Sequence, residues 1–288
     1  MKILRLLPIL LFLAPHISHS AETVVFREDL FSPFPAGFMI PPDQPEGFVA
    51  LPPGRPFPTL ASDPRDLKIG LIKNSKDEIE ANIGGYRSLV GWKGNIKDRS
   101  TVIHGGIEGN GYFLMRQEGS KFPLHSSDGL IGLYAEAIRG LTMYQLRYTH
   151  VSAHLSDGLF GVRQRIFYTR ETLSLRLARQ LDVFRVYGGY HYLVHTEPKI
   201  PKHSLQAGFY SILPWHWQKL HPYFGADLKV RNKEEGTTYT IVGGGALVSS
   251  LGAPPVRLAV NYTKGHDLRG QFYKEKSEKW GFGLEMDF

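Results

Sequence analysis

The stretch KWGFGLEMDF, from Lys279 to Phe288, decides the fold. Successive side chains of an extended strand point to opposite faces, so its alternate residues form two separate sets. One set is wholly apolar and consists of Trp280, Phe282, Leu284, Met286 and Phe288. The other set is polar and rich in glycine and consists of Gly281, Gly283, Glu285 and Asp287. Such a strand needs an apolar environment on one side and a wetter one on the other.

This stretch resembles the C-terminal insertion signal of Gram-negative outer-membrane β-barrels, an alternating apolar strand that ends on a terminal Phe, here Phe288. The resemblance implies an outer-membrane location and recognition of this strand by the outer-membrane assembly machinery. The alternative is the last strand of a soluble β-sandwich, which ten residues alone do not separate from a barrel strand.

The first twenty residues have the pattern of a secretory signal peptide. Lys2 and Arg5 precede an apolar run over residues 3–14, and small residues stand just before Ala21. The apolar run is too short to span a bilayer as a permanent helix. We therefore expect residues 1–20 to be removed and the rest of the chain to be exported.

Composition narrows the class of protein. The 288 residues include no cysteine, which excludes a disulfide framework and a thiolate metal site. The formal net charge of +7 falls to +5 without Lys2 and Arg5, an excess that could meet lipopolysaccharide phosphates. The positive charge is spread out rather than clustered, so nothing supports nucleic-acid binding. Apart from the signal peptide, no stretch approaches eighteen apolar residues, so strands must make any membrane crossing.

Residues 21–65 are dense in proline, which predicts neither a β-ladder nor a helix. We interpret them as an extended periplasmic segment, either tucked against or into the mouth of a barrel or forming a loosely ordered linker. The barrel itself is expected over residues 66–288.

From Asp66 onward the apolar residues recur with a period of two, which is typical of half-buried strands. The pattern predicts twelve strands, at 66–73, 79–92, 101–115, 130–139, 142–155, 165–180, 184–195, 204–213, 222–232, 238–249, 256–264 and 279–288. Short turns at one end and longer loops at the other are typical of outer-membrane barrels. The sequence therefore predicts an all-β protein, an antiparallel transmembrane β-barrel of about twelve strands with a proline-rich N-terminal extension.

The fifth predicted strand carries the residues that suggest chemistry. If its apolar face contacts lipid, then His150, Ser152 and His154 also point outward, near the outer-leaflet end. Polar side chains are costly there, which makes them candidate functional residues. A hydroxyl two residues from an imidazole on one face can be hydrogen-bonded to it, as a base-activated serine nucleophile requires. The alternative is an interfacial polar patch that binds lipid headgroups or closes a loop.

These residues carry a resemblance to a known enzyme family. His150-Val-Ser152, followed by Tyr168-Thr-Arg170, resembles the His-x-Ser and Tyr-Thr-Arg pattern of outer-membrane phospholipase A, a twelve-stranded barrel. A shorter His-x-Ser also marks the lipid A 3-O-deacylases. The resemblance implies that Ser152 is the nucleophile and that His150 is its base.

The match to the phospholipase departs at two positions. The family has Asn after its serine, where this chain has Ala153, and a His-orienting Asn where this chain has Arg165. An arginine cannot accept the histidine N–H, so the triad as known would be incomplete. Gln164 could serve only with a shift of the loop register, and Glu171, on the same predicted face as Phe167 and Leu173, is a remote substitute.

A second resemblance covers more of the chain and is to a bacterial family known only as a domain of unknown function. That family is interpreted as an exported β-barrel, and the resemblance implies an outer-membrane location without a known activity. Three blocks carry it, at residues 58–65, 150–157 and 168–171. Ser62, Ala153 and Ser156 depart from the family's pattern.

The inward positions of the strands carry charges of both signs. Arg147, Arg170 and Glu136 are candidate ligand-binding residues of the lumen. Mixed charges favour a closed network over a wide pore, although a selective channel for a small anion remains an alternative.

Two classes of function therefore stay open. One is a binding, channel or structural barrel, and the other is an outer-membrane lipid esterase acting on phospholipid or lipopolysaccharide. No metal site is predicted and no cofactor is required. Ca²⁺ enters only with the lipase interpretation, through oxygens such as those of Ser156 and Asp157.

Overall fold

A computed structural model describes residues 44–159, 161–213, 217, 219–247 and 255–287. The predicted signal peptide and Phe288 lie outside these residues. None of the helical turns in the described part is long and apolar enough to cross a membrane.

Within the described residues, one short strand precedes twelve longer antiparallel ones. The short strand is β1, Gly47–Ala50. The other twelve are β2 Ile69–Asn74, β3 Glu78–Ile96, β4 Arg99–Arg116, β5 Leu124–Arg139, β6 Thr142–Leu155, β7 Tyr168–Leu181, β8 Phe184–Glu197, β9 His203–Ile212, β10 Leu220–Val230, β11 Thr237–Leu247, β12 Val256–His266 and β13 Lys276–Met286. All twelve predicted strands are present.

The sheet closes into a barrel because its last strand pairs with its first. β13 pairs with β2 from Gly281 opposite Asn74 to Met286 opposite Ile69, and each strand from β3 to β12 pairs with its two neighbours in sequence. The protein is a closed antiparallel barrel of twelve strands, as predicted.

Most predicted strand ends shift by one to four residues, and two regions differ more. β5 begins at Leu124 rather than at residue 130 as predicted, because the polar run 125–128 does not show the alternation of a strand. β1 pairs with the edge of β3 within a segment that was predicted to hold no ladder. Its four residues contain no proline and can therefore donate to the ladder.

The C-terminal strand has the two faces that its sequence predicts. The side chains of Trp280, Phe282 and Leu284 are exposed on the outer surface. Glu285 is buried in the lumen, where it accepts a hydrogen bond of 3.0 Å from Lys68 Nζ. Large apolar side chains are exposed in the same way on β4 to β13, so the outer surface is an apolar belt.

The lumen is filled by the chain that precedes β2, residues 52–68, here named the plug. Its apolar residues Phe57 and Leu60 are buried against Met143, Ala178 and Tyr187 of the wall. Residues 52–65 therefore do not form a loosely ordered linker, because Phe57 and Leu60 have apolar partners inside the barrel; residues 21–43 lie outside the described residues. The segment lies within the lumen.

Ion pairs fix the plug to several strands. They include Arg55 with Glu136, Asp63 with Lys229, Arg65 with Asp128, Asp66 with Arg176 and Lys68 with Glu285. Buried charges require partners of this kind, because an unpaired charge in the interior is costly. The charged residues on the lumen face of the wall thus hold the plug in place.

Candidate functional site

β6 carries the outward polar cluster at the end where the barrel has its longer loops. Met143, Gln145 and Arg147 are buried in the lumen, whereas Tyr144 and Leu146 are exposed on the outer surface. The period of two continues to the end of the strand. It places His150, Ser152 and His154 on the outer face, the orientation that the sequence predicts.

The structure joins Ser152 to His154. Ser152 Oγ lies 2.7 Å from His154 Nε2, within hydrogen-bond distance. The resemblance to the phospholipase paired Ser152 with His150 instead. Both histidines lie two residues from the serine on the same face, and the side chain of Ser152 turns towards His154.

His150 has a different partner, the carboxylate of Glu171. The two residues stand directly opposite each other on β6 and β7, and His150 Nδ1 lies 3.7 Å from Glu171 Oε1. Sequence reasoning treated Glu171 as remote because a loop separates the two strands. The register of the β6–β7 pair was the missing information.

The wall beside Ser152 is open on one side. Its partner on β5 is Gly129, and its partner on β7 is Thr169. A Cβ placed on Gly129 would meet no atom within 4 Å. A ligand outside the barrel can therefore approach the serine across this glycine.

The three lumen candidates are each engaged by the protein itself. Glu136 accepts hydrogen bonds from Arg55 and, at 2.6 Å, from Gln145 Nε2. Arg147 donates to Glu108, and Arg170 lies 2.9 Å from Glu235. Their role in binding a ligand stays a prediction.

Two other Ser–His pairs lie inside the barrel. His191 Nδ1 lies 2.8 Å from Ser174 Oγ, and its Nε2 lies 3.2 Å from Gln206 Oε1. In the same way, His104 lies 3.2 Å from Ser88 Oγ and 3.1 Å from Gln44 Oε1. The sequence alone did not identify the serine partners of these two histidines, because each serine lies on a different strand from its histidine.

The donor set for a metal ion is poor. Among the described residues, no cluster of three or more histidine, aspartate or glutamate side chains could hold an ion. Asp157 opens a short 3-10 turn at Asp157–Leu159 just after β6. Since Ca²⁺ takes six to eight oxygen ligands, these residues do not fit a calcium site.

A family model described as "Protein of unknown function (DUF1207)" matches residues 48–288. The chain belongs to this family. The match covers β1, the plug and the whole barrel, so the DUF1207 family includes the plug as well as the wall. No curated protein sequence matches the chain.

Two solved structures of outer membrane phospholipases have the same fold, and a third structure is similar over most of its length. The outer membrane phospholipase (OMPLA) of Salmonella typhi, a dimer with bound calcium, is 13% identical over 76% of this chain and 89% of that chain, with a TM-score of 0.52. The outer membrane phospholipase A of Escherichia coli is 14% identical over 76% and 95%, also with a TM-score of 0.52. The β domain of the Bordetella autotransporter BrkA is 11% identical over 77% and 96%, with a TM-score of 0.40.

At these identities the likeness concerns the fold alone. This member of the DUF1207 family is an outer-membrane-type β-barrel. Its lumen is filled by its own chain, and its outer surface carries the hydrogen-bonded pair of Ser152 and His154.

Proposed function

We propose that this protein lies in the outer membrane and hydrolyses acyl ester bonds of membrane lipids, with Ser152 as the nucleophile and His154 as its base. The observation that carries the proposal is the hydrogen bond of 2.7 Å between Ser152 Oγ and His154 Nε2 on the outer face of β6. A serine needs an adjacent base to become nucleophilic, and His154 would be that base.

The reaction would follow the ordinary course of serine ester hydrolysis. Ser152 Oγ attacks the ester carbonyl carbon while its proton passes to His154 Nε2. His154 then gives this proton to the departing alcohol oxygen of the lipid, which leaves an acyl group on Ser152. Water attacks the acyl ester, its proton passes through His154 to Ser152, and a fatty acid departs.

His150 and Glu171 would support the same site. The carboxylate of Glu171 lies 3.7 Å from His150 Nδ1 and favours one orientation of the ring. His150 then offers an N–H donor on the face from which the lipid carbonyl approaches, where negative charge develops on the carbonyl oxygen. The open side at Gly129 gives the ester a route to the serine.

The outer surface supports a membrane location. The apolar belt is bordered by aromatic contacts at both ends, with Tyr262 and Trp280 near the loops (ring centroids 4.8 Å apart) and Phe184 and Phe224 near the turns (6.0 Å). Aromatic girdles at the two interfaces are a property of transmembrane barrels. Contact with phospholipid and lipopolysaccharide, and assembly through the C-terminal strand, belong to the same proposal.

The filled lumen favours a second candidate, a closed structural barrel without catalysis. It also argues against a channel, because plug side chains such as Phe57 and Leu60 occupy the interior. Recordings from the purified protein in planar bilayers should show no steady conductance. Steady unitary currents would contradict a sealed lumen.

The test of the proposed activity is fatty-acid release from phospholipid vesicles and from lipopolysaccharide by the refolded protein, with and without Ca²⁺. Wild-type protein should release acyl chains from at least one substrate. Ser152→Ala and His154→Ala should each lose at least about a hundredfold in rate, as expected for removal of a nucleophile or its base. Fatty-acid release that persists in Ser152→Ala would overturn the assignment of the nucleophile. If the wild-type protein releases no fatty acid from either substrate, the esterase proposal fails and the closed structural barrel is favoured.

A further inference from the structure

The loop between β12 and β13, residues 267–275, folds into the barrel directly behind the Ser152–His154 pair. Gly270, Gln271, Phe272 and Tyr273 of this loop are all buried. The loop is fixed at its start by Asp267, whose carboxylate accepts hydrogen bonds of 2.9 and 2.7 Å from Nε and Nη2 of Arg269. Burial alone would raise the pKa of Asp267, but Arg269 reverses this and holds the pKa well below its usual range.

The side chain of Gln271 makes three hydrogen bonds to backbone groups near the site. Its Nε2 donates to the carbonyl oxygens of Ala153 and Ile166, each at 2.7 Å, and its Oε1 accepts from Ile166 N at 3.0 Å. Ala153 is the residue between Ser152 and His154. The pairing of β6 with β7 ends at Ala153 and Tyr168. Beyond this point the side-chain amide of Gln271, rather than a backbone pair, links the two segments.

The neighbouring glycine brings the loop into contact with the same residue. A Cβ on Gly270 would lie 2.5 Å from both Ala153 Cβ and Tyr168 Cδ1, a distance that side chains do not tolerate. The backbone N–H of Gly270 also donates to Asp128 Oδ2 at 3.1 Å, and the same oxygen accepts from Arg65 of the plug. The loop, the plug and β5 thus form one buried support behind the outward pair.

We propose that Gln271 is a positioning residue for the Ser152–His154 pair, an inference that rests on the proposed lipid esterase function. Gln271 contacts neither lipid nor the reacting atoms. It fixes the peptide of Ala153, from which the serine on one side and the histidine on the other project outward. Since a displacement of about 1 Å in a catalytic constellation can cost on the order of a hundredfold in rate, this backbone hydrogen bond should govern turnover.

The chain offers a matched control in Gln180. This glutamine is also buried, and its Nε2 also donates to two backbone carbonyls, those of Asp182 and Phe184. It lies at the turn between β7 and β8, at the opposite end of β7 from the site. Gln271→Met and Gln180→Met therefore each remove two amide N–H donors to backbone carbonyls, at two places that differ in their distance from Ser152, and Gln271→Met also removes the acceptor for Ile166 N.

The first measurement is the rate of fatty-acid release by the two variants, with folding verified by heat-modifiable mobility in gels. Gln271→Met should lower kcat at least about tenfold with KM unchanged within about twofold, whereas Gln180→Met should change neither. Gln271→Glu keeps the acceptor for Ile166 N and loses the donors to both carbonyls. Its kcat should fall as far as that of Gln271→Met, and wild-type turnover in Gln271→Glu would overturn the proposal.

The second measurement does not depend on activity. Side-chain histidine NMR of the folded full chain reports the hydrogen bond at His154 Nε2, with the signal assigned by its absence in His154→Ala and its change in Ser152→Ala. The signal should change in Gln271→Met and stay in place in Gln180→Met. If wild-type protein releases no fatty acid, the proposed function fails, but this measurement still tests whether Gln271 positions the Ser152–His154 pair. An unchanged signal in Gln271→Met would overturn the positioning role.

Discussion

The two sides of the barrel wall use the same Ser–His hydrogen bond in different surroundings. In the lumen, Ser174 pairs with His191 and Ser88 pairs with His104. Both interior histidines have their second nitrogen fixed by a glutamine oxygen. On the outer face Ser152 pairs with His154, and the serine lies beside an open position at Gly129. The difference teaches that access, and not the hydrogen bond alone, separates a candidate active site from a structural contact.

The same contrast holds for charge. Inside the barrel, the plug supplies partners for many of the charges on the wall, as Arg55 does for Glu136 and Asp66 does for Arg176. On the outer face, the polar cluster interrupts an apolar belt where such groups are costly. The charged residues inside the barrel have a structural role, because they hold the plug. The polar residues on the outer face have no such role, so their presence in an apolar belt indicates a function.

The largest effect should follow from breaking the interior network. Arg55→Ala leaves Glu136 buried without its main counter-charge, and loss of one partner of a buried ion pair costs about 3–5 kcal/mol. Urea unfolding followed by heat-modifiable gel mobility should show a loss of stability of this size. A stability equal to wild type would mean that the plug is not held in the lumen as described.

A smaller effect should follow from Ser174→Ala, the interior counterpart of Ser152→Ala. The variant removes one buried hydrogen bond of His191, which should lower the free energy of unfolding by about 1–2 kcal/mol. Fatty-acid release should match wild type, because Ser174 is enclosed in the lumen. A loss of release comparable to that of Ser152→Ala would remove the distinction between the two faces.

The smallest effect should come from Glu171→Gln on the outer face. Partly exposed ion pairs contribute about 0.2–1 kcal/mol, so the rate of release should fall by no more than about fivefold. Steady-state kinetics on vesicles would measure this change beside Ser152→Ala. A loss as large as that of His154→Ala would instead favour the pairing of His150 with Ser152 that the resemblance implied.

Much of the wall could be predicted from the sequence, because a period of two is a local signal. The stretch Lys279 to Phe288 indicates a strand with a lipid face, and the same period oriented β6 and placed Ser152 and its two histidines outside. The polar run at residues 125–128 concealed the start of β5, since its side chains do not alternate between apolar and polar.

The contacts that position the candidate site could not be predicted in the same way. Arg55 and Glu136 lie 81 residues apart in sequence, and Gln271 lies 118 residues from Ala153. Nothing in local periodicity links such residues. The proline density of the plug indicated only that it forms neither a long strand nor a helix. Its position in the lumen depends on charged partners that lie on many different strands.

The central claim is that Ser152 is the reactive serine and that the serines of the interior pairs are inert. Labelling of the folded protein in lipid with a fluorophosphonate, followed by mass spectrometric mapping, tests this claim most directly. The account predicts an adduct on Ser152 that disappears in His154→Ala, and none on Ser88 or Ser174. An unlabelled Ser152, under conditions in which a known serine lipase is fully labelled, would contradict it.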